Sequence, residues 1–199
     1  MTADRGLEIG ATLFATLVIE LARRGDGVRE SGAFLLAKAT PEPQAASGEA
    51  WREVTSVAYY DDLDPDSLTG GITFGADGYT ALGVLCRTHR LHVVGDIHTH
   101  PRGWVDQSST DATHPMCALP GHIAVIAPGY AQGVVSPSDL GAHVFSGAGK
   151  WTSYFNDDVT TVLRLSGHNS LADAACLVVQ KVVKLGRQVR RLMTPRRLR

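Results

Sequence analysis

The chain has 199 residues, 44% of them hydrophobic and 20% charged, with a formal net charge of −1, the profile of one ordinary globular domain able to bury a core. No apolar run reaches the roughly 18 residues that a membrane span needs. The three scattered cysteines (Cys86, Cys117, Cys176) include no CxxC pair and fit a reducing cytoplasm, where the protein is expected, and not a disulfide scaffold.

The charge is unevenly spread. All 20 acidic residues lie at or before Asp173 together with 11 of the 19 basic ones, while residues 174–199 hold the other 8 and no acid. Blocks of one sign mark solvated faces or interaction tails. The expected reading is a solvated basic helix with a frayed end. A docking segment for an acidic partner, nucleic acid or an anionic surface is the alternative.

In chain order, Leu7, Phe14, Leu17, Val18 and Leu21 fall along one helical face, which predicts a helix over residues 7–24 ended by Gly25 and Gly27. The opening MTADRGLEIGATLFATLVIELARRG is read as this helix and not as a signal peptide: Glu20 breaks its apolar stretch, and it has no net-basic start and no small-residue cleavage site. Gly32–Ala37 is a short apolar run that predicts a buried strand, residues 39–49 a Pro/Ala/Ser loop, and Trp51–Tyr60 a second strand. DDLDPDSLTGG reads as an acidic turn, Gly75–Arg90 as a helix and Leu91–Ile97 as a core strand. Residues 101–120 read as irregular, His122–Ala127 and Gly141–Ser146 as strands, and Val159–Leu165 as a further strand. Leu171–Leu192 repeats apolar residues at three- and four-residue intervals, the pattern of a long helix with a basic outer face. The expected organisation is one α/β domain over residues 1–168, a central mixed sheet flanked by helices, with a basic helical extension over 169–199.

The chemistry concentrates in VVGDIHTHPRGWVDQSSTDATHP, residues 93–115. His98 and His100 stand two apart at the end of an apolar strand, so the strand's period of two points both rings to one face. Pro101 ends the strand, and a loop delivers Ser108 and Asp111. Two imidazoles and a carboxylate suffice for a catalytic zinc, leaving a fourth position for water. Such an ion lowers the pKa of that water from 15.7 to about 7.

His98-x-His100, the loop from Pro101 to Gln107, then Ser108-x-x-Asp111 resembles the JAMM motif of the MPN-plus (JAB-domain) zinc metallopeptidases, and the similarity runs over roughly residues 7–147. The resemblance implies an MPN-like fold, His98, His100 and Asp111 as zinc ligands, Ser108 as oxyanion donor, and an upstream glutamate as general acid/base. The family places that glutamate before a Gly- and Leu-rich strand after the first helix, where Arg29-Glu30-Ser31-Gly32-Ala33-Phe34-Leu35-Leu36 stands, so Glu30 takes the role. Spacing alone leaves Glu20 and Glu53 equally eligible. Two departures stand out. Ala33 and Ala37 occupy positions often filled by Gly, and His114-Pro115 follows Asp111 where the family begins a helix, so that helix is expected to start later.

The implied activity is cleavage of isopeptide or peptide bonds after the C-terminus of a ubiquitin-like protein, as in the compact JAB peptidases of bacterial ubiquitin-like conjugation systems, some linked to antiphage defence. The implied partners are that protein or its conjugates and the activating and conjugating enzymes, encoded elsewhere. No membrane partner is expected, and nucleic acid is not favoured. HxH also opens the metal sites of phosphoesterases and amidohydrolases, but those barrels run to ~250 residues and too little chain follows residue 98. A second alternative is an MPN-type binding or scaffold module, associated with nucleic acid through the basic tail; the full ligand set argues against it. Ser108 can equally be read as a helix N-cap. His114 and His122 are expected at ordinary loop and strand positions; His89, His92, His143 and His168 have no evident partner. Trp104 either packs on substrate or pins the loop. Cys117 has no base at a meaningful spacing and is not expected to be a nucleophile.

Overall fold

The computed structural model describes residues 6–39 and 51–167; the predicted C-terminal helix and most of the 39–49 loop lie outside them. Eleven main elements follow one another after β1 (Leu7–Gly10): α1 (Ala11–Gly25), β2 (Gly32–Lys38), β3 (Arg52–Val54), β4 (Ser56–Tyr59), α2 (Tyr60–Leu63), α3 (Ala76–His89), β5 (Leu91–Thr99), α4 (Ser109–Thr113), β6 (Ile123–Ala127), β7 (Gly141–Gly147) and β8 (Lys150–Phe155), with β9 (Leu163–Ser166) closing the series. Six strands form one mixed sheet in the order β4-β2-β5-β6-β7-β8, and β3-β1-β9 form a small parallel sheet. Within the larger sheet β5 and β6 run parallel and the remaining neighbours antiparallel. The fold is therefore mixed α/β, as the pattern of elements predicts. Among the described residues no helix is long and apolar enough to cross a membrane.

Several boundaries differ from expectation. The first helix begins at Ala11, because Leu7–Gly10 pairs in parallel with Arg52–Val54 and Leu163–Ser166. Leu7 and Ile9 are buried at period two, and pairing with two remote strands overrides the helical spacing that Leu7 shares with Phe14. From Ala11 onward the helix buries Phe14, Leu17, Val18 and Leu21, an i, i+3, i+4, i+7 stripe, and ends where Asp26 turns left-handed at φ 50°. The single strand expected over Trp51–Tyr60 is two strands in different sheets, followed by a helical turn. Val159–Leu165 splits into a 3₁₀ turn over Asn156–Thr161 and β9, and the edge strand β8 had no counterpart in the sequence reading. The helix from 75 to 90 appears as α3, capped by Gly75 and by left-handed Arg90.

Two apolar clusters cover the faces of the six-stranded sheet. Ala33, Leu35, Ile97 and Val125 pack with α1 and the small sheet, whereas Phe34 and Leu36 pack with Tyr60, Leu68 and Leu82 on the α3 side. A bulge in β5 decides which side chains of that strand face which cluster. Leu35 pairs with Gly95 and Leu36 with Val93, so Val94 is the extra residue. Before the bulge the odd-numbered Leu91 and Val93 pack on the α3 side; after it the odd-numbered Ile97 packs on the α1 side. The inverted alternation turns Asp96 and His98 toward the α3 side.

Gly32 lies opposite His98 on the neighbouring strand. A Cβ there would run into the ring of Tyr60 and lie 2.8 Å from the Ile97 carbonyl oxygen, so the bare backbone is what admits Tyr60 beneath the strand end. Gly32→Ala is expected to cost about 1–3 kcal/mol through overpacking, measured as a lower urea midpoint. An unchanged midpoint would show that the ring does not need this gap.

Candidate metal centre

β5 carries His98 and His100 to its C-terminal end, where the backbone remains fixed beyond the last strand residue. His100 N–H donates to the Ala127 carbonyl at 2.9 Å and its carbonyl accepts from Tyr130 N–H at 2.8 Å. The two Nε2 atoms are 3.2 Å apart. Asp111 faces both, with Oδ1 3.6 Å from His98 Nε2 and Oδ2 3.4 Å from His100 Nε2. Ligand-capable atoms of the three residues lie within 4.8 Å of one another, and both imidazoles are buried. Two ring nitrogens and a carboxylate converging in this way are a donor set for a divalent cation.

The second nitrogen of each ring is also held. His100 Nδ1 lies 3.1 Å from the Trp104 carbonyl, which accepts its hydrogen and turns Nε2 inward as a lone-pair donor. Trp104 stacks on His100 at a centroid distance of 5.4 Å while remaining 54% exposed, so it pins the loop and still offers a free face. His98 Nδ1 faces Asp96 at 3.8 Å.

Asp96 is only 1% exposed, and the sequence reading gave it no part in the site. Its Oδ2 accepts from the Tyr60 hydroxyl at 3.0 Å, and its Oδ1 lies 2.6 Å from Nε2 of the buried His122. Burial pushes this carboxyl up, but hydrogen bonds and charges from His122 and His98 outweigh it and hold it at about 2. Burial likewise pushes His122 and His98 down; their carboxylate partners, with the Cys117 thiol adding to His122, hold each at about 9. His122 is thus not an ordinary strand histidine. The sequence clue was Asp96 itself, an ionisable residue inside an apolar strand.

Asp111 arrives through a helix cap. Ser108 is the N-cap of α4: its Oγ accepts from Asp111 N–H at 3.2 Å while Asp111 Oδ2 accepts from Ser108 N–H at 2.8 Å, a reciprocal capping box. Burial pushes the Asp111 carboxyl up, yet its bonds to His100, His98 and Ser108 depress it far below the carboxylate range. The helix expected to start after Asp111 instead starts at Ser109 and stops at Thr113, so His114-Pro115 terminates it and does not delay it. His143, for which no partner was expected, accepts from Ser153 Oγ at 2.9 Å and donates to the Val105 carbonyl at 3.0 Å, tying the site loop to the sheet.

Glu30 precedes β2 and is held by its N–H donating to the Gly70 carbonyl at 2.9 Å. It lines, together with His98, Ser108 and Asp111, a cavity of about 500 Å³ whose other walls include Phe74, Tyr79, Met116 and Trp151. Burial raises its carboxyl; His98 and His100 oppose that and Asp111 adds to it. Neither Glu20 nor Glu53 lines this cavity: Glu20 pairs with Arg23 on α1 and Glu53 lies in β3. Every residue singled out for the chemistry, Glu30, His98, His100, Ser108 and Asp111, therefore meets in one place.

No family model matches the chain. In overall shape it is similar to the solution structure of a Desulfitobacterium hafniense protein, with a TM-score of 0.53 at 14% identity over 82% of this chain and 95% of that one. A Salinibacter ruber protein aligns with a TM-score of 0.49 at 17% identity over 83% of this chain and 95% of that one. The first likeness shows a shared fold.

Two measurements check the centre. Titrated with a divalent metal ion in a calorimeter, His98→Ala or Asp111→Ala should abolish tight binding, and Asp96→Asn should weaken it about 10–100-fold; an undiminished affinity in Asp96→Asn would remove that residue from the site. In metal-free protein, His98 and His122 carry folded pKa values of about 9 against an ordinary value near 6.5. The stability that they add is complete below about pH 6.5 and is lost as pH rises through about 9. The urea midpoint should fall across that window; a flat or rising midpoint would contradict the pairing.

Proposed function

We propose that this protein is a zinc-dependent metallopeptidase of the JAMM type, with an MPN-like fold, that cleaves the amide bond after the C-terminus of a ubiquitin-like protein, in deconjugation or precursor processing. The observation that carries the reading is that His98, His100 and Asp111 cluster while Glu30 lines the same cavity as His98 and Asp111, although Glu30 lies on a different strand approach from the HxH pair. The donor set fits zinc, which takes imidazole nitrogen and carboxylate oxygen in three-ligand catalytic sites. Zinc held there supplies a Lewis acid and an acidified water.

The chain's own residues supply the rest. Glu30 is half-buried, and burial raises its carboxyl, which brings its proton affinity closer to that of a group able to take a proton from water and give it to a leaving amine. Ser108 Oγ spends one lone pair on Asp111 N–H, leaving its own hydrogen to donate to an oxyanion in the cavity. Capping and oxyanion donation are therefore compatible in the same hydroxyl. Tyr60 and His122 hold Asp96 behind His98, and Trp104 holds His100, so neither ring need reorient during turnover. Activating and conjugating enzymes would come from other chains. The complete donor set favours this reading over a scaffold module, and the basic residues 174–199 lie outside the described residues.

With zinc loaded, the wild-type protein should cleave a fusion behind its cognate ubiquitin-like C-terminus. Glu30→Gln should bind zinc undiminished yet lose about 10²–10⁴-fold in kcat, and Ser108→Ala about 10²–10³-fold. Fusions left intact by a protein with stoichiometric zinc, wild type and Glu30→Gln alike, would end the proposal.

A further inference from the structure

The cavity that carries the metal centre has walls that the proposed chemistry does not use. Beyond Glu30, Ser108 and the metal-binding side chains it is lined by Ile72, Phe74, Tyr79, Met116 and Trp151, in a total volume of about 500 Å³. Apolar walls with a few convergent polar groups at one end are the usual make-up of a binding pocket of this size. The rings are held before anything binds. Phe74 meets Tyr79 edge to face at 4.8 Å, and the fully buried Phe34 and Tyr60 back it at 5.3 and 5.5 Å. Trp151 packs on Phe145 at 4.8 Å. Ile72 belongs to the loop whose Gly70 carbonyl accepts from Glu30 N–H, so this wall and Glu30 are fixed to each other.

The polar ends of the lining rings are already engaged. The Tyr79 hydroxyl donates to the Met116 carbonyl at 3.1 Å, and Trp151 Nε1 donates to the Ala112 carbonyl at 3.0 Å. What both residues offer the cavity is ring surface. No lysine or arginine is among the lining residues, so an anionic occupant would meet carboxylates with nothing fixed to offset them. Those carboxylates are committed in turn: Asp96 to Tyr60 and His122, Asp111 to the imidazoles and the Ser108 N–H, Glu30 to the proton transfer. A cationic occupant would find none free. An uncharged apolar group fits both conditions.

We propose that these walls form a subsite for a bulky apolar side chain, aromatic or branched aliphatic, next to the scissile amide, with Phe74, Tyr79 and Trp151 as its specificity-determining residues. The inference rests on the peptidase reading for what the occupant is attached to, and adds that the substrate carries such a residue beside the bond that is cut. A glycine there would leave the ring surfaces uncovered. Full burial of a phenylalanine or leucine side chain corresponds to about 10–100-fold in affinity.

The test is calorimetric titration of the full, zinc-loaded chain with the N-acetyl hydroxamates of glycine, leucine, phenylalanine, lysine and aspartate, metal chelators that differ in side chain alone. The phenylalanine and leucine compounds should bind about 10–100-fold tighter than the glycine compound, and the lysine and aspartate compounds no tighter than glycine. A flat series, absence of binding included, or a series led by lysine or aspartate overturns the proposal. Tyr79 is 42% exposed on α3, a position where truncation is tolerable. Tyr79→Ala should remove most of the preference for phenylalanine and leave the affinity of the glycine compound unchanged; a folded variant that keeps the full preference overturns the role of that ring. If the variant does not fold, the wild-type series decides. The subsite and the activity fail separately. A flat series from a protein that cleaves its fusions removes the subsite alone, and a graded series from one that leaves every fusion intact removes the peptidase reading alone.

Discussion

A carboxylate stays ionised inside a sheet only where neighbours compensate for the water it has lost, because the effective cost of burying an ion is several kcal/mol. Asp96 is such a group, and what compensates it shapes the whole end of β5. Tyr60 reaches one oxygen and His122 the other, while His98 faces it from the next cavity-facing position of the strand. Each of these contacts ties a different part of the chain to one point. Tyr60 opens α2, His122 stands at the mouth of β6, and His98 belongs to the metal centre. Replacing the carboxylate would leave a buried imidazole and a buried hydroxyl without their acceptor, so its effect would spread beyond any single contact.

That arrangement requires β5 to present Asp96 and His98 to the same face, and a regular strand in the register set by Leu91 and Val93 would turn them away. The bulge at Val94 inverts the alternation, and Gly95 lets Leu7 and the Ile123 carbonyl close in on the other side, where a Cβ would lie 3.0 Å from the Leu7 side chain and 2.5 Å from that oxygen. Gly32 then clears the space above the α3-side cluster for Tyr60. A local defect and two small residues thus convert an ordinary central strand into one that delivers polar groups to a cavity while its other face stays apolar.

Much of the site was legible because its residues lie close together in the chain. His98 and His100 at period two, a Pro that ends the strand and an SxxD within the next ten residues are short-range signals, and the structure brings them together as their spacing implies. What the sequence did not disclose depends on long-range pairing. Leu7–Gly10 reads as helix until strands from residues 52 and 163 are known to flank it. Lys150–Phe155 alternates weakly because it is an edge strand whose side chains are mostly half-exposed or exposed. The partnership of Asp96 and His122 was equally hidden: it spans the β5–β6 crossover, and no periodicity connects the two. Glu30 stands between the two cases, since its place before a Gly-initiated strand was legible only through a resemblance, and its shared cavity with His98 only through the fold.

The short helix that brings Asp111 to the imidazoles shows why cap and ligand cannot be separated here. Five residues do not make a helix that persists by itself, since nucleation alone is unfavourable. α4 is held by the Ser108–Asp111 capping box at one end and stopped by His114-Pro115 at the other, with Trp151 Nε1 donating to the Ala112 carbonyl at 3.0 Å across from β8. The same bonds that stabilise the turn fix the rotamer of Asp111, so its carboxylate reaches the imidazoles with little further loss of side-chain freedom. An aspartate at this position in an uncapped loop would have to be ordered by the ligand that it binds. Placed at N3 of a capped turn and anchored to the edge strand, it is already oriented, and the unforeseen strand β8 is part of what orients it.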